Sequence, residues 1–521
     1  MARSMYLINP RPSVPGYNSG WAFERFGLAP ATLMGDLALP TVAALAPPEL
    51  EVALCDEAWQ TFDPEHPADV IGLTGKVSQF PRARELAAHF RARGKTVVMG
   101  GPFASLSPAR AREHCDVLVR GELEPIAERF FADLLADRLE PEYEGAPADL
   151  QRRVVPRWDL YGPAQRAVMA TVQTSRGCPF ECEFCDVIVY LGRKQRHKPP
   201  ADVLAELDAL YAQGYRQVFL ADDNLTVHRR AARALLAALC DWNADRPDGR
   251  VIFSTQLSID VTRDPDLLDL CAQAGIQIAL VGIESVNLES LRETKKRQNL
   301  IDMIAAVETI TRAGVSVAAG LIVGFDHDGP DIFERQFEFA QASPIPHFAF
   351  GILTAPEATP LYARLAAEGR LVESDSEEES QAQPLGTNIV PARMSRAELQ
   401  LGARWLANKI YDPENYGRRV LRMVELLAED RNADRMVRTG GQRSMREVDE
   451  DATQLLLRLP DLGPRERRMF IELMAAARRK PIAQPFVASY LTLYLNTRTV
   501  YDRTGVWDPD LAAGPCPVGA G

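Results

Sequence analysis

Two rhythms of apolar and polar positions alternate over the first 140 residues. Short β-rich runs, MYLINP (5–10), LEVALCDE (50–57), VIGLTG (70–75), TVVMGG (96–101) and DVLVRG (116–121), follow one of them. Between them, PRARELAAHFRARG (81–94) and EPIAERFFADLLAD (124–137) carry apolar residues at helical spacing. The first kind predicts buried strands and the second amphipathic helices. Their alternation predicts a parallel sheet covered on both faces, a Rossmann-like domain over residues 1–140. Several strands run into glycine, at Thr74-Gly75, Gly100-Gly101 and Gly121-Glu122. Ligands of open α/β sheets bind at the carboxyl ends of strands, where glycine lets backbone come close. Tight turns alone are the competing explanation for each such glycine.

A Pro- and Glu-containing stretch then predicts a linker over 141–165. From 166 the alternation resumes with six candidate strands: AVMATVQT (167–174), QVFLAD (217–222), VIFSTQLS (251–258), IQIALVGI (276–283), VSVAAGLIVGF (315–325) and HFAFGILT (347–354). Helical patterns fill the gaps, among them 201–214, 229–242, 264–275 and 299–314. Six βα units over 166–370 predict a partial (β/α)6 TIM-like barrel, with its chemistry at the strand carboxyl ends. The acidic run ESDSEEE (373–379) marks a boundary. Amphipathic patterns at 395–411, 416–429 and 464–480 then predict a mainly helical C-terminal domain over 371–521, with a disordered tail after Trp507. The fold class is therefore α/β, in three parts.

Composition narrows the function. A chain of 521 residues exceeds what one core can hold. A net charge of −12 argues against nucleic acid as a partner. No apolar run approaches the roughly 18 residues of a membrane span, and the stretch at 5–8 is too short for a signal peptide. Eight cysteines are too few for a disulfide scaffold, and three of them fall within eight consecutive positions. Such clustering points to metal in a reducing compartment, so a cytoplasmic location is expected.

Those three stand in TSRGCPFECEFC (174–185), a C-x-x-x-C-x-x-C loop directly after the first barrel strand. Cys178, Cys182 and Cys185 can complete three irons of a 4Fe–4S cluster and leave the fourth open. An incomplete shell is what a catalytic metal site needs. A closed zinc site with His197 as fourth ligand is the competing reading. The remaining cysteines (Cys55, Cys115, Cys240, Cys271, Cys516) are scattered and read as small buried or tail residues.

The loop, with Phe184 before its third cysteine, resembles the signature of the radical S-adenosylmethionine (SAM) superfamily. That resemblance implies a 4Fe–4S cluster whose free iron chelates SAM and whose electron cleaves it to methionine and a 5′-deoxyadenosyl radical. It also implies an electron donor such as flavodoxin or ferredoxin. SAM contacts are implied for Phe184, for Asp222, Asp223 and Asn224 after strand two, and for Gln256 and Ser258 on strand three. Glu284 in VGIES and Gly324 in GLIVGFDHD complete that set. The usual Gly-Gly-Glu turn is absent after strand two, so the assignment there rests on position and polarity. GGPFAS (100–105) and GELE (121–124) resemble segments of the cobalamin-binding domain that precedes the barrel in one subgroup, which includes hopanoid C-2 methylase. Cobalamin contacts are implied for Thr74, Gly75, Gly100, Gly101, Gly121 and Glu122. Phe103 and Leu123 replace the subgroup's common His and Gly. There is no Asp-x-His-x-x-Gly, so no histidine of that motif can ligate cobalt from below; His66, His89 and His114 read as surface residues. The basic run 193–198 reads equally as an anion site and as a solvated loop.

The implied function is cobalamin-dependent methylation of an unactivated carbon on a small molecule or lipid. Radical ring formation or oxidation, as in anaerobic magnesium-protoporphyrin cyclase, is the alternative, beside aminocarboxypropyl transfer. A non-catalytic cobalamin or redox sensor is the third reading, and a sensor needs no open iron.

Overall fold

The computed structural model describes residues 3–14, 16, 19–244, 246–372, 384–428 and 446–518. Seven strands precede residue 150: β1 (Ser4–Asn9), β2 (Thr32–Met34), β3 (Glu51–Asp56), β4 (Val70–Leu73), β5 (Thr96–Met99), β6 (Val117–Gly121) and β7 (Glu142–Gly145). Six of them form one sheet in the order β3-β1-β4-β5-β6-β7, and every pairing is parallel. Successive side chains take opposite faces. Tyr6 and Ile8 join the core under helix Phe80–Arg91, whereas Met5 and Leu7 join the core that continues through helix Ala127–Leu135. Both faces are thus covered, as the near-continuous apolar strands require.

The second sheet adds β8 (Ala167–Val172), β11 (Gln217–Leu220), β12 (Ile252–Leu257), β13 (Ile276–Glu284), β14 (Ser316–Val323) and β15 (His347–Ile352), while β9 (Ser175–Arg176) and β10 (Arg196–His197) form a separate antiparallel ladder. Its order is β15-β14-β13-β12-β11-β8-β2, again all parallel. The two edges do not pair with each other, so the barrel is open. The six sequence-derived strands occupy six consecutive places in it.

Three expectations change. The barrel has a seventh strand, β2, which pairs with β8 at Thr32↔Ala167 and Met34↔Met169. Residues near 32–34 therefore belong to the barrel, and the first domain is not continuous over 1–140. A strand of three residues is too short to show a period. The expected linker begins as edge strand β7 and continues into a 3-10 helix, Trp158–Ala164, where Trp158 is buried. The tail after Trp507 is ordered to residue 518: helix Pro509–Ala513 is capped by Asp508, and Cys516 and Val518 are buried. The acidic run 373–379 lies outside the described residues.

The C-terminal part is helical, with Arg396–Tyr411, Pro413–Leu426, Glu447–Leu457, Pro464–Arg479 and Gln484–Thr504. Gln484–Thr504 packs against helix Trp21–Arg25 near the N-terminus. Arg503 reaches Glu24 at 3.3 Å and lies over the Trp21 ring. Segments far apart in the chain, residues 21–25 and 484–504, thus pack together.

Candidate active site

The cysteine loop is held from three sides. Asp222, fully buried at the end of β11, accepts hydrogen bonds from the backbone N–H groups and the hydroxyls of Thr174 and Ser175. Gly177 follows at φ +92°, and a Cβ there would lie 2.8 Å from Lys194 O and 2.9 Å from Gly192 O. Only glycine fits that approach. Cys178 N–H donates to Gly192 O, Glu183 N–H to Thr294 O, and Leu361 N–H to Glu183 O. Arg364 completes the clamp on the Glu183 carboxylate at 2.6 Å.

The three thiols lie within electrostatic reach of one another. Burial pushes the Cys178 thiol up and the Cys185 thiol up to about 12, and the neighbouring sulfurs add to both shifts. Backbone N–H groups of Phe180 and Val187 face Cys178 and Cys185, and Gln298 Nε2 lies 4.0 Å from the Cys182 sulfur. A trio of this kind becomes thiolate when a cationic centre is bound among it. Among the described residues no three His, Cys, Asp or Glu side chains are grouped to hold a single metal ion. His197 pairs with Ser175 across β9–β10 and packs its ring on His228. The donor set fits a cluster that takes one thiolate per iron better than a closed single-ion site.

Glu284 ends β13 at φ +64°, a conformation rare outside glycine, where the β13–β14 register shifts. Its carboxylate lies over Gly282, where a Cβ would stand 2.1 Å from Oε1, and near Gly320. Lys296 Nζ donates to Glu284 Oε1 at 3.0 Å. Burial alone would lower the Lys296 pKa, but Glu284 and the sulfurs of Cys182 and Cys185 raise it overall. Lys296 is the residue that sequence reasoning missed. It stands in the basic run 295–297, which has no period and reads as a solvated turn.

Other assignments separate on geometry. Asn224 Oδ1 and Ser258 Oγ are buried without a hydrogen-bond partner, as groups awaiting a polar ligand would be. Asp223 accepts from Gly177 N–H at 2.9 Å, and burial raises its pKa to about 6. Asp222 has no such freedom. Four donors occupy its carboxylate, so it positions the loop rather than meeting a ligand. Gly324 turns at φ +103°, its N–H donates to Asp328 at 3.1 Å, and its open side closes on Leu399. It is a turn and packing residue, not an open ligand surface. Phe184 packs on Phe325 in a small apolar cluster.

A cavity of about 1440 Å³ opens between the carboxyl ends of the first sheet and the barrel mouth. Thr74, Gly101, Gly121 and Glu122 line one side and Asp223 and Gln256 the other, and Trp21 and Arg503 close the far end. It exceeds the ~300–1,000 Å³ of ordinary small-molecule pockets. Gly75 and Gly100 lie outside its lining. Gly101 (φ +89°) and Gly121 (φ +70°) are required by the chain's own backbone, since Cβ atoms there would meet Thr74 Oγ1 at 2.6 Å and Gly145 O at 2.1 Å. Glu122 is not free for a ligand. It pairs with Arg176 and Arg196, each at 2.5 Å, which hold its carboxyl below the usual range against the effect of burial. Glu124 joins Arg176 at 2.6 Å, locking the first sheet onto the strand that carries the cysteine loop. The basic run 193–198 is likewise largely consumed by ion pairs: Arg193 with Glu181, Arg196 with Glu122, and Lys198 with Glu206.

Residues 172–340 match the radical SAM superfamily, and residues 359–498 match a domain of unknown function, DUF4070. The chain is 33% identical over 413 residues to an uncharacterized methyltransferase of Synechocystis sp., covering 76% of this chain and 74% of that protein. It is 30% identical over 357 residues to hopanoid C-2 methylase of Rhodopseudomonas palustris, covering 67% of each. Its fold is similar to that of the cobalamin-dependent SAM radical enzyme OxsB with aqua-cobalamin and SAM bound, with a TM-score of 0.62, 15% identity and coverage of 98% of this chain and 81% of that one. It is also similar to the radical SAM methyltransferase TsrM from Kitasatospora setae with cobalamin and a 4Fe–4S cluster bound, with a TM-score of 0.57, 16% identity and coverage of 82% and 99%. No helix among the described residues is long and apolar enough to cross a membrane. By its sequence relatives, its fold and its three-cysteine loop, the chain belongs to the radical SAM superfamily, in the group that includes hopanoid C-2 methylase.

Proposed function

We propose that the chain methylates an unactivated carbon of a small molecule or lipid, using SAM, a 4Fe–4S cluster and cobalamin. The observation that carries this reading is a cavity shared by the ends of both sheets, with Arg176 and Tyr190, which flank the cysteine loop, in its wall. When bound, the cluster supplies the electron that cleaves SAM, and cobalamin carries the methyl group. Cys178, Cys182 and Cys185 hold the cluster. Lys296 would meet the SAM carboxylate, and Glu284, Asp223, Asn224 and Ser258 would accept from its amino and hydroxyl groups. Gln256 faces the open cavity, on the route from SAM to substrate. The first sheet lies over the barrel mouth, held to it by the Glu122–Arg176 pair. An electron donor such as flavodoxin or ferredoxin reduces the cluster.

Anaerobic reconstitution with iron, sulfide, SAM, a low-potential reductant and hydroxocobalamin tests the reading. S-adenosylhomocysteine and 5′-deoxyadenosine are expected together, the first only with the corrinoid present. 5′-Deoxyadenosine alone would replace methylation by ring formation or oxidation, and methylthioadenosine would indicate aminocarboxypropyl transfer.

A further inference from the structure

A second, much smaller cavity adjoins the large one at the carboxyl ends of β4 and β5. Leu73, Gly75, Met99 and Gly100 wall it, and Thr74 is shared between the two. Gly75 and Gly100 carry no side chains, and Phe80 and Phe103 line the same small cavity from its other side. These rings stack at 3.8 Å between centroids, 25° from parallel, and are 3% and 6% exposed. The free volume that remains is about 10 Å³, no more than one water requires. Phe103 is fixed at its backbone as well, because its N–H donates to Gly75 O at 3.1 Å. The guanidinium groups of Arg84 and Arg110 lie 5.5 and 5.9 Å from the Phe80 and Phe103 rings.

Cobalamin carries a flat aromatic base on a nucleotide tail below the corrin plane. A protein that recognises that base needs an apolar slot of ring thickness at the edge of the corrin cavity. Here the slot between glycine-ended strands holds a ring of the protein's own. Opening it would expose both phenylalanines to water and break their stack. A histidine cannot replace the base beneath cobalt either. No histidine lines the large cavity among the described residues. His66 stacks on Tyr6, His89 meets Pro64 O, and His114 packs on Phe80.

We infer that Phe103 takes the place of the nucleotide base, so that the protein recognises the corrin ring and not the lower nucleotide. Corrinoids whose lower base is missing or different bind as well as cobalamin does. This rests on the cobalamin reading of the large cavity. The full-length protein, purified anaerobically, is titrated with hydroxocobalamin and with aquacobinamide, which lacks the nucleotide, and binding is followed by difference absorbance. The two dissociation constants are expected to agree within about fivefold. Cobalamin tighter by more than that overturns the inference while leaving the cobalamin reading intact. No binding of either corrinoid overturns the cobalamin reading itself. Phe103→Ala, with Phe103→Leu as the milder variant, opens the slot and is expected to create a preference for cobalamin of about tenfold in the alanine form. An unchanged ratio in a folded Phe103→Ala protein would remove Phe103 from that role.

Discussion

At the scale of single residues, most of the site's polar groups divide into those already engaged and those left open. Asp222 and Glu122 are held by the protein itself, whereas Asn224 and Ser258 have buried oxygens without partners. Replacing Cys178, Cys182 or Cys185 with Ala removes one of three thiolates, and iron is expected to fall from about four per chain to near zero. Iron analysis and the absorbance of the anaerobic protein measure it. A second prediction concerns His347, which starts β15 far from the cysteines. Burial lowers its pKa to about 3, and its Nδ1 lies 2.9 Å from Tyr411 Oη. The folded state therefore binds this proton more weakly than the unfolded state, in which an ordinary histidine titrates near 6.5. Its stability contribution is complete above about pH 6.5 and is lost, by about 1.4 kcal/mol per pH unit, as the pH falls toward 3. Urea titrations at pH 7.5 and 5.5 should show that extra loss in the parent protein and not in His347→Asn.

At the scale of elements, the loop between β9 and β10 depends on one backbone conformation. Gly177→Ala would force a side chain into a left-handed position and against two carbonyl oxygens. The strain is about 1–3 kcal/mol, enough to displace Cys178, and iron retention should fall to less than half with a lower melting temperature. Normal iron loading would show that the loop tolerates the shift. The helix Gln484–Thr504 makes a different point. It is buried on nearly all sides, and its Tyr, Thr and Val content leans toward strand. Amphipathic reading could not find it, because a helix enclosed by its neighbours has no polar stripe. Asp264, Asn287, Asp302, Thr359 and Ser395, by contrast, cap their helices as short polar residues at helix starts do.

At the scale of the whole molecule, the first sheet and the barrel act together because Glu122 and Glu124 meet Arg176 and Arg196 across the interface. Arg176→Gln leaves two acidic groups near one remaining cation, a loss of the order of 3 kcal/mol. We predict faster proteolytic cleavage between 146 and 157 and weaker corrinoid binding, with the cluster retained. Unchanged cleavage would assign the lock to Ser107 and Arg110 on Glu357 instead. The sequence by itself determined the parallel sheet, the six βα units and the three cysteines, because each is a local pattern of period, turn residue or spacing. It could not determine that Thr32–Met34 joins the barrel, that Lys296 faces Glu284, or that Asp222 and Glu122 are already engaged. Those facts depend on which distant segments meet, and pairings across tens to hundreds of residues leave no period in the chain. Phe103 lies between the two cases: its departure from the subgroup's histidine is visible in the sequence, but only the tertiary structure shows its ring filling the slot at the sheet end.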